Sequence, residues 1–308
     1  MERTSVGGQA VIEGIMMKNN AKVAVAIRKP DKEIEVKRAD YESLKEKHLI
    51  FRLPIIRGVV TFLESMVTGM KMLTYSASFY EEEEEESKFD QWLQGKSEKV
   101  VMGVTVFISI VLAIGIFMIL PYLLTGWLEA KISNHTLTLI LEGVFRIGIF
   151  LGYMLLISQM EDIQRVFMYH GAEHKTINCL EHGEDLTVEN IKRHSRLHKR
   201  CGTSFLFLVM IISIFFFFFI RADQVWLKIL YRLLLIPVIS GVSYEFIRFA
   251  GNHDGVIVRI LSTPGMMLQK LTTREPDDGM IEVAIEAVSE VMDWEAYVKA
   301  VRNGEIED

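Results

Sequence analysis

Residues 169–201, YHGAEHKTINCLEHGEDLTVENIKRHSRLHKRC, decide how this chain is read. The stretch holds five of the eight histidines and both cysteines. It also lies between two strongly apolar segments. Metal-ligand residue types gathered at the mouth of an apolar bundle point to a metal site on a membrane protein. Its first part, His170-Gly171-Ala172-Glu173-His174, fits H-x-x-E-H. On a helix, positions i and i+4 share a face, so both imidazoles reach one ion and the glutamate sits beside them, able to polarise a water. His194 and His198 repeat the i, i+4 spacing, and Cys201 follows at once.

Outward from this stretch the chain carries four apolar segments, at about 100–124, 137–160, 203–220 and 226–249. Each is near the roughly 20 residues that cross hydrocarbon. Pro121 falls late in the first and Pro237 inside the fourth. Glu142 and Arg146 sit four apart in the second, placed to neutralise each other. Half of the 308 residues are hydrophobic although 24% are charged, so the apolar residues are concentrated. The predicted fold is a predominantly α-helical polytopic membrane protein of about four transmembrane helices, with a small α+β cytoplasmic domain from the two termini. The net charge of -6 argues against general nucleic-acid binding, which needs an excess of Lys and Arg. Membrane lipid is the expected contact, with a protein partner at the cytoplasmic domain.

Basic residues orient the bundle. Arg165, Lys175, Lys192, Arg193, Arg196, Lys199 and Arg200 lie between the second and third segments, against Lys131 alone between the first and second. The histidine-rich loop, 161–202, and both termini are thus expected on the cytoplasmic side of the inner membrane. Arg221, Lys228 and Arg232 argue mildly the other way, and are read as snorkelling to the interface. A reducing cytoplasm keeps both cysteines as thiols or ligands.

The flanks are read as polar parts. Over 1–52, Val23, Val25 and Ile27 alternate before a Pro30-Asp31 turn, and Ile34 and Val36 resume, which reads as a β-hairpin with one buried face. Over 53–80, Arg57, Glu64 and Lys71 recur every seven residues on an otherwise apolar helix, an amphipathic or interfacial segment. Residues 81–99, with the run EEEEEE at 81–86, read as an acidic linker. The C-terminal part, 250–308, holds an apolar helix near 257–271 and an amphipathic one over 281–301, which caps the N-terminal hairpin.

On this topology the second and third segments meet the cytoplasm near His170 and Cys201, and the fourth returns there near Glu245, Arg248 and His253. Three stretches thus bring N, S and O donors to one face, and zinc accepts all three. The expected ligands are His170 and His174 first, then members of the set His194, His198, Cys201 and Glu245, around Zn2+ or another divalent transition metal. Glu173 is the general-base candidate, and Arg248 the cation for a developing oxyanion. Plainer readings stand beside these. His194 and His198 sit among Lys and Arg, as on a basic helix facing anionic lipid. Glu245 is equally explained by an ion pair with Arg248. Cys179 reads as a small buried residue, His182 as a solvated one.

The blocks GGQAVIEGIMM, YHGAEHKTINCLE, RLHKRCGTSFLF, ISGVSYEFIRFAG and LTTREPDDGMIEVAI resemble the YqhQ-like family of bacterial membrane proteins, over nearly the whole chain. That family is catalogued as a domain of unknown function and described as a predicted metal-dependent enzyme. The resemblance implies that the first and last blocks work with the central one, and adds Glu13, Glu245, Arg274 and Glu275 as site residues. Two functions follow as expectations: a metal-dependent hydrolase acting on a peptide or a lipid-linked substrate, or a non-enzymatic membrane scaffold or biogenesis factor with a structural metal or none.

Overall fold

The computed structural model describes residues 4–80, 98–129, 134–220, 222, 224–253 and 255–305. The acidic run at 81–86, Lys131, Arg221 and Asp254 lie outside the described residues. The chain is mostly helical and divides into two units, Met1–Tyr80 with Ile157–Ser213 and Leu234–Asp308, and Glu81–Leu156 with Ile214–Leu233.

In the first unit the N-terminal residues form a four-stranded antiparallel meander: β1 Val6–Val11, β2 Gly14–Asn19, β3 Lys22–Arg28 and β4 Ile34–Asp40. The Pro30-Asp31 turn joins β3 to β4. The sheet has two further strands before it, and both of its faces are buried, where sequence alternation suggested a hairpin with one buried face. Val23, Val25 and Ile27 point to Met16 and to Met72 of helix Ile56–Ala77. Ala24 and Ala26, on the opposite side of the pleat, pack with Ile15 and Met17 against helices Glu161–Glu181 and Asp278–Val291. Alanine lacks the bulk that marks a buried position in a sequence, yet its small side chain lets a helix lie close to a sheet. The helix expected over 281–301 is two, Asp278–Val291 and Trp294–Arg302, because Asp293 caps the second through the Ala296 amide at 3.0 Å. The first caps the sheet, as its apolar stripe requires.

Among the described residues, three helices are long and apolar enough to cross a membrane: Val100–Trp127, Thr136–Ile157 and Val225–Gly251. The remaining apolar segment forms a shorter helix, Gly202–Phe218, of 17 residues. In the second unit Glu142 and Arg146 do pair, at 2.6 Å, but the pair is a triad. Arg232, expected to snorkel outward, is 3% exposed and donates to Glu142 at 2.8 Å. A carboxylate one turn from an arginine satisfies only part of the guanidinium, and the excess positive charge is shared. Arg146 Nε also donates to the Phe117 carbonyl at 3.1 Å. That carbonyl is free because Pro121, four residues on, has no N–H to give it, and the helix widens to a π turn over Gly115–Ile119.

Candidate metal centre

Helix Glu161–Glu181 carries the H-x-x-E-H residues. Glu161 and Asp162 occupy its first turn, where negative charge suits the helix dipole. From Gly171 to Ile177 every residue is buried. The reason for the glycine is a crossing. A Cβ on Gly171 would lie 2.0 Å from the Arg274 carbonyl oxygen, so only glycine lets the 272–274 backbone run over the helix here. The Arg274 amide donates to the Phe167 carbonyl at 2.8 Å and fixes that crossing. It delivers the Thr272 carbonyl oxygen to His170 Nδ1, 2.8 Å away.

His174 is held in the same way. Its Nδ1 is 2.7 Å from the Arg196 carbonyl oxygen. Lys175 Nζ donates to the Lys192 and His194 carbonyls, and Asn178 Nδ2 to those of Ser195 and Leu197, so the helix lashes down the whole 192–197 segment. A carbonyl only accepts, so each Nδ1 carries the proton, and each Nε2 presents a lone pair. Metal-ligating histidines are oriented by this kind of outer contact.

Both lone pairs meet a third donor. His170 Nε2 is 3.2 Å from Cys201 Sγ, and one ring nitrogen of each histidine and the sulfur all lie within 4.8 Å of one another. Cys201 stands just before helix Gly202–Phe218, and the Thr203 amide and hydroxyl approach its sulfur at 3.4 and 3.0 Å. Glu173 Oε2 lies 3.8 Å from His170 Nε2 and 3.7 Å from His174 Nε2. A tetrahedral ion with bonds of about 2.0–2.3 Å has its donors roughly 3.3–3.8 Å apart. The donor set therefore fits zinc or a similar ion in both chemistry and spacing. The other oxygen, Glu173 Oε1, accepts the Gly8 amide at 3.1 Å. Gly8 matters sterically as well, since a Cβ there would lie 2.7 Å from Glu173 Cγ.

The other residues singled out in the sequence lie elsewhere. His198 is near, its ring centroid 5.8 Å from that of His174, but its Nε2 faces Glu181 at 3.3 Å. His194 belongs to a separate group with Glu184, 3.5 Å away, and Cys179. Burial there lowers its pKa, against the pull of Glu184. Cys179 is fully buried over the Glu184 and Asp185 carbonyls, and desolvation pushes its thiol up to about 12. Glu245 is taken by Arg57, with Nε at 2.6 Å, rather than by Arg248. The every-seven charged stripe thus supplied one ion-pair partner, and Arg248 is exposed and does not line the site. Glu13 pairs with Arg165 and meets the Tyr169 hydroxyl at 3.3 Å. Arg274 donates to the Ser158 carbonyl, and Glu275 pairs with Lys175 at 2.9 Å. These residues brace the elements around the centre.

The centre opens into a cavity of about 620 Å³. Its walls come from β1 and β2, the 41–52 segment, helix Ile56–Ala77 and the 198–202 turn, with Tyr244 of the Val225–Gly251 helix. Sequence reasoning missed Gly8, Thr272 and Arg196. The last two act through backbone carbonyls, which leave no mark on residue type; the Gly7-Gly8 pair was the one visible signal.

The family model described as "Protein of unknown function (DUF1385)" matches residues 53–294. "Uncharacterized protein YqhQ" of Bacillus subtilis (strain 168) is 35% identical over 300 residues, covering 94% of this chain and 93% of that protein. No solved structure matches the chain. The chain belongs to the DUF1385 family.

Proposed function

We propose that this protein is an inner-membrane, metal-dependent hydrolase. His170, His174 and Cys201 would hold Zn2+ or another divalent transition metal, and Glu173 would act as the general base. The observation that carries this reading is the pair of Nδ1–carbonyl contacts, at 2.8 and 2.7 Å, which leave two imidazole lone pairs converging beside a thiol and a carboxylate. The ion would supply a Lewis acid for the substrate's electrophilic centre. Glu173 takes a proton from the attacking water and passes it to the leaving group, so the bond to that group breaks as the new bond to oxygen forms. Gly8 holds the Glu173 carboxylate in place for this transfer. Arg200, which lines the cavity and is paired with Glu181, would replace Arg248 as the cation that steadies developing negative charge. We read the apolar helices as a four-span bundle with both termini cytoplasmic, and the burial of Arg232 on Glu142 removes one of the charges that opposed this orientation.

Metal analysis of the purified protein together with Glu173→Gln tests the proposal. A stoichiometric metal that persists in Glu173→Gln while activity is lost supports it. Protein that carries no metal at any pH where histidine is neutral rules it out. The second reading is a scaffold with a structural metal. It is favoured by the closeness of Glu173 Oε2 to both Nε2 atoms, since two histidines, a cysteine and a glutamate would close a four-ligand site. In that case Glu173→Gln loses the metal itself.

A further inference from the structure

The cavity is unevenly charged. Four cations line it, Lys18, Lys45, Arg52 and Arg200, against two carboxylates, Glu46 and Glu173. Arg200 is engaged by Glu181. The other three have no carboxylate within ion-pair distance among the described residues. Lys45 Nζ donates to the Thr61 hydroxyl at 2.9 Å, Arg52 Nε to the Lys45 carbonyl at 2.8 Å, and Lys18 Nζ lies over the Tyr41 ring at 3.5 Å. Burial lowers the pKa of Lys18 against the opposing pull of the Glu64 carboxylate, a remaining penalty that a bound anion would relieve. Cations held by neutral partners on a concave wall are built to meet an anion from outside.

The same short segment has a second character. Leu49, Ile50 and Leu53 are 78%, 57% and 51% exposed, and they alternate in the chain with Lys45, Glu46 and Arg52 of the cavity wall. The cavity is also bounded by Gly202, the start of an apolar helix, and by Tyr244 of a helix able to cross a membrane. An anion pocket lined by a segment that also exposes Leu49, Ile50 and Leu53, and by a residue of a membrane-competent helix, fits an amphiphile, charged at one end only.

We propose that the cavity takes the phosphate-bearing headgroup of an anionic lipid, gripped by Lys18, Lys45 and Arg52, with its chains along Leu49, Ile50 and Leu53. This rests on the hydrolase reading for its catalytic meaning, and it selects lipid over peptide as the substrate class. The binding itself stands on the cavity alone.

The test uses the purified full-length protein in an uncharged detergent. Three probes are compared by their stabilisation of the fold on heating: dihexanoyl phosphatidic acid, glycerol 3-phosphate and dihexanoyl glycerol. Phosphatidic acid is expected to bind about tenfold or more tightly than either of the others. The double variant Lys45→Ala/Arg52→Ala should weaken that binding by about tenfold or more, with metal content unchanged as the check on folding. Leu49→Ser/Ile50→Ser should weaken phosphatidic acid and leave glycerol 3-phosphate alone. Glycerol 3-phosphate binding as tightly as the lipid overturns the proposal in favour of a soluble phosphate ester. Equal binding by the Lys45/Arg52 variant and the natural protein overturns it outright. Metal-free protein that still binds phosphatidic acid through these cations would discard the hydrolase and keep the lipid site; metal-loaded, active protein indifferent to the lipid would do the reverse.

Discussion

Gly171→Ala puts the candidate centre under a defined load. The added methyl would begin 2.0 Å from the Arg274 carbonyl oxygen, where ordinary contact starts near 3.4 Å. The 272–274 backbone must retreat by about 1.4 Å, the difference of those two distances. Overpacking of this kind costs about 1–3 kcal/mol. The retreat also strains two hydrogen bonds, His170 Nδ1 to Thr272 and the Arg274 amide to Phe167, at about 1 kcal/mol each. Better helix propensity returns about 1 kcal/mol. The net loss is about 2–4 kcal/mol, readable as a lower unfolding temperature in detergent. His170 would also lose its orienting acceptor, so zinc affinity should fall by about 10–100-fold in a chelator competition. Gly148→Ala is the control: a Cβ there meets nothing within 4 Å, so it should gain only the helix-propensity term of about 1 kcal/mol and leave zinc affinity unchanged. Gly171→Ala matching the natural protein in both stability and zinc affinity would refute the crossing as the device that sets His170.

Further outcomes follow from the same geometry. Glu142→Gln leaves two buried arginines short of their counter-charge and should cost about 3–5 kcal/mol, measured by thermal unfolding; a variant as stable as the parent would mean that the triad carries no such weight. Mass mapping after brief alkylation of chelator-treated protein at pH 8 should find Cys201, which lines the cavity, modified and Cys179, with its thiol pushed up to about 12, untouched; the opposite pattern would contradict both placements. His194 has its folded pKa below the usual value near 6.5, so its neutral form is the one the fold accommodates. Its contribution is therefore complete above about pH 6.5 and is lost as the pH falls toward the lowered value. His194→Gln should flatten that acid limb in a stability–pH curve, and an unchanged limb would assign it to other groups.

Much of the candidate site was legible because its converging donors are side chains, two of them at helical spacing. H-x-x-E-H announced the helix, and Cys201 stood out as a thiol just ahead of an apolar run. What the sequence could not show was the selection among equals. His194 and His198 share the spacing of His170 and His174, yet they turn to Glu184 and Glu181, because the 192–197 backbone is tied down by Lys175 and Asn178. Glu245 looked like a ligand or a partner of Arg248, and a contact across 188 positions with Arg57 took it instead. The sheet was half visible: bulky β3 residues alternate, whereas Gly7-Gly8 and the alanines of β3 carry no hydrophobic signal although close packing depends on them. Arg232 read as a boundary residue because nothing in its own neighbourhood names Glu142.

The crossing at Gly171 also has a consequence in time. The imidazoles of His170 and His174 are synthesised about a hundred residues ahead of Thr272, which orients the first of them. During translation His174 can meet the Arg196 carbonyl early, while His170 has no orienting acceptor. His170 is aimed only once the helix Val225–Gly251 has been made and the chain beyond it has doubled back over the glycine. Completion of the centre is thus a late step rather than an early one, and a chain truncated before Thr272 is born without the acceptor that orients His170.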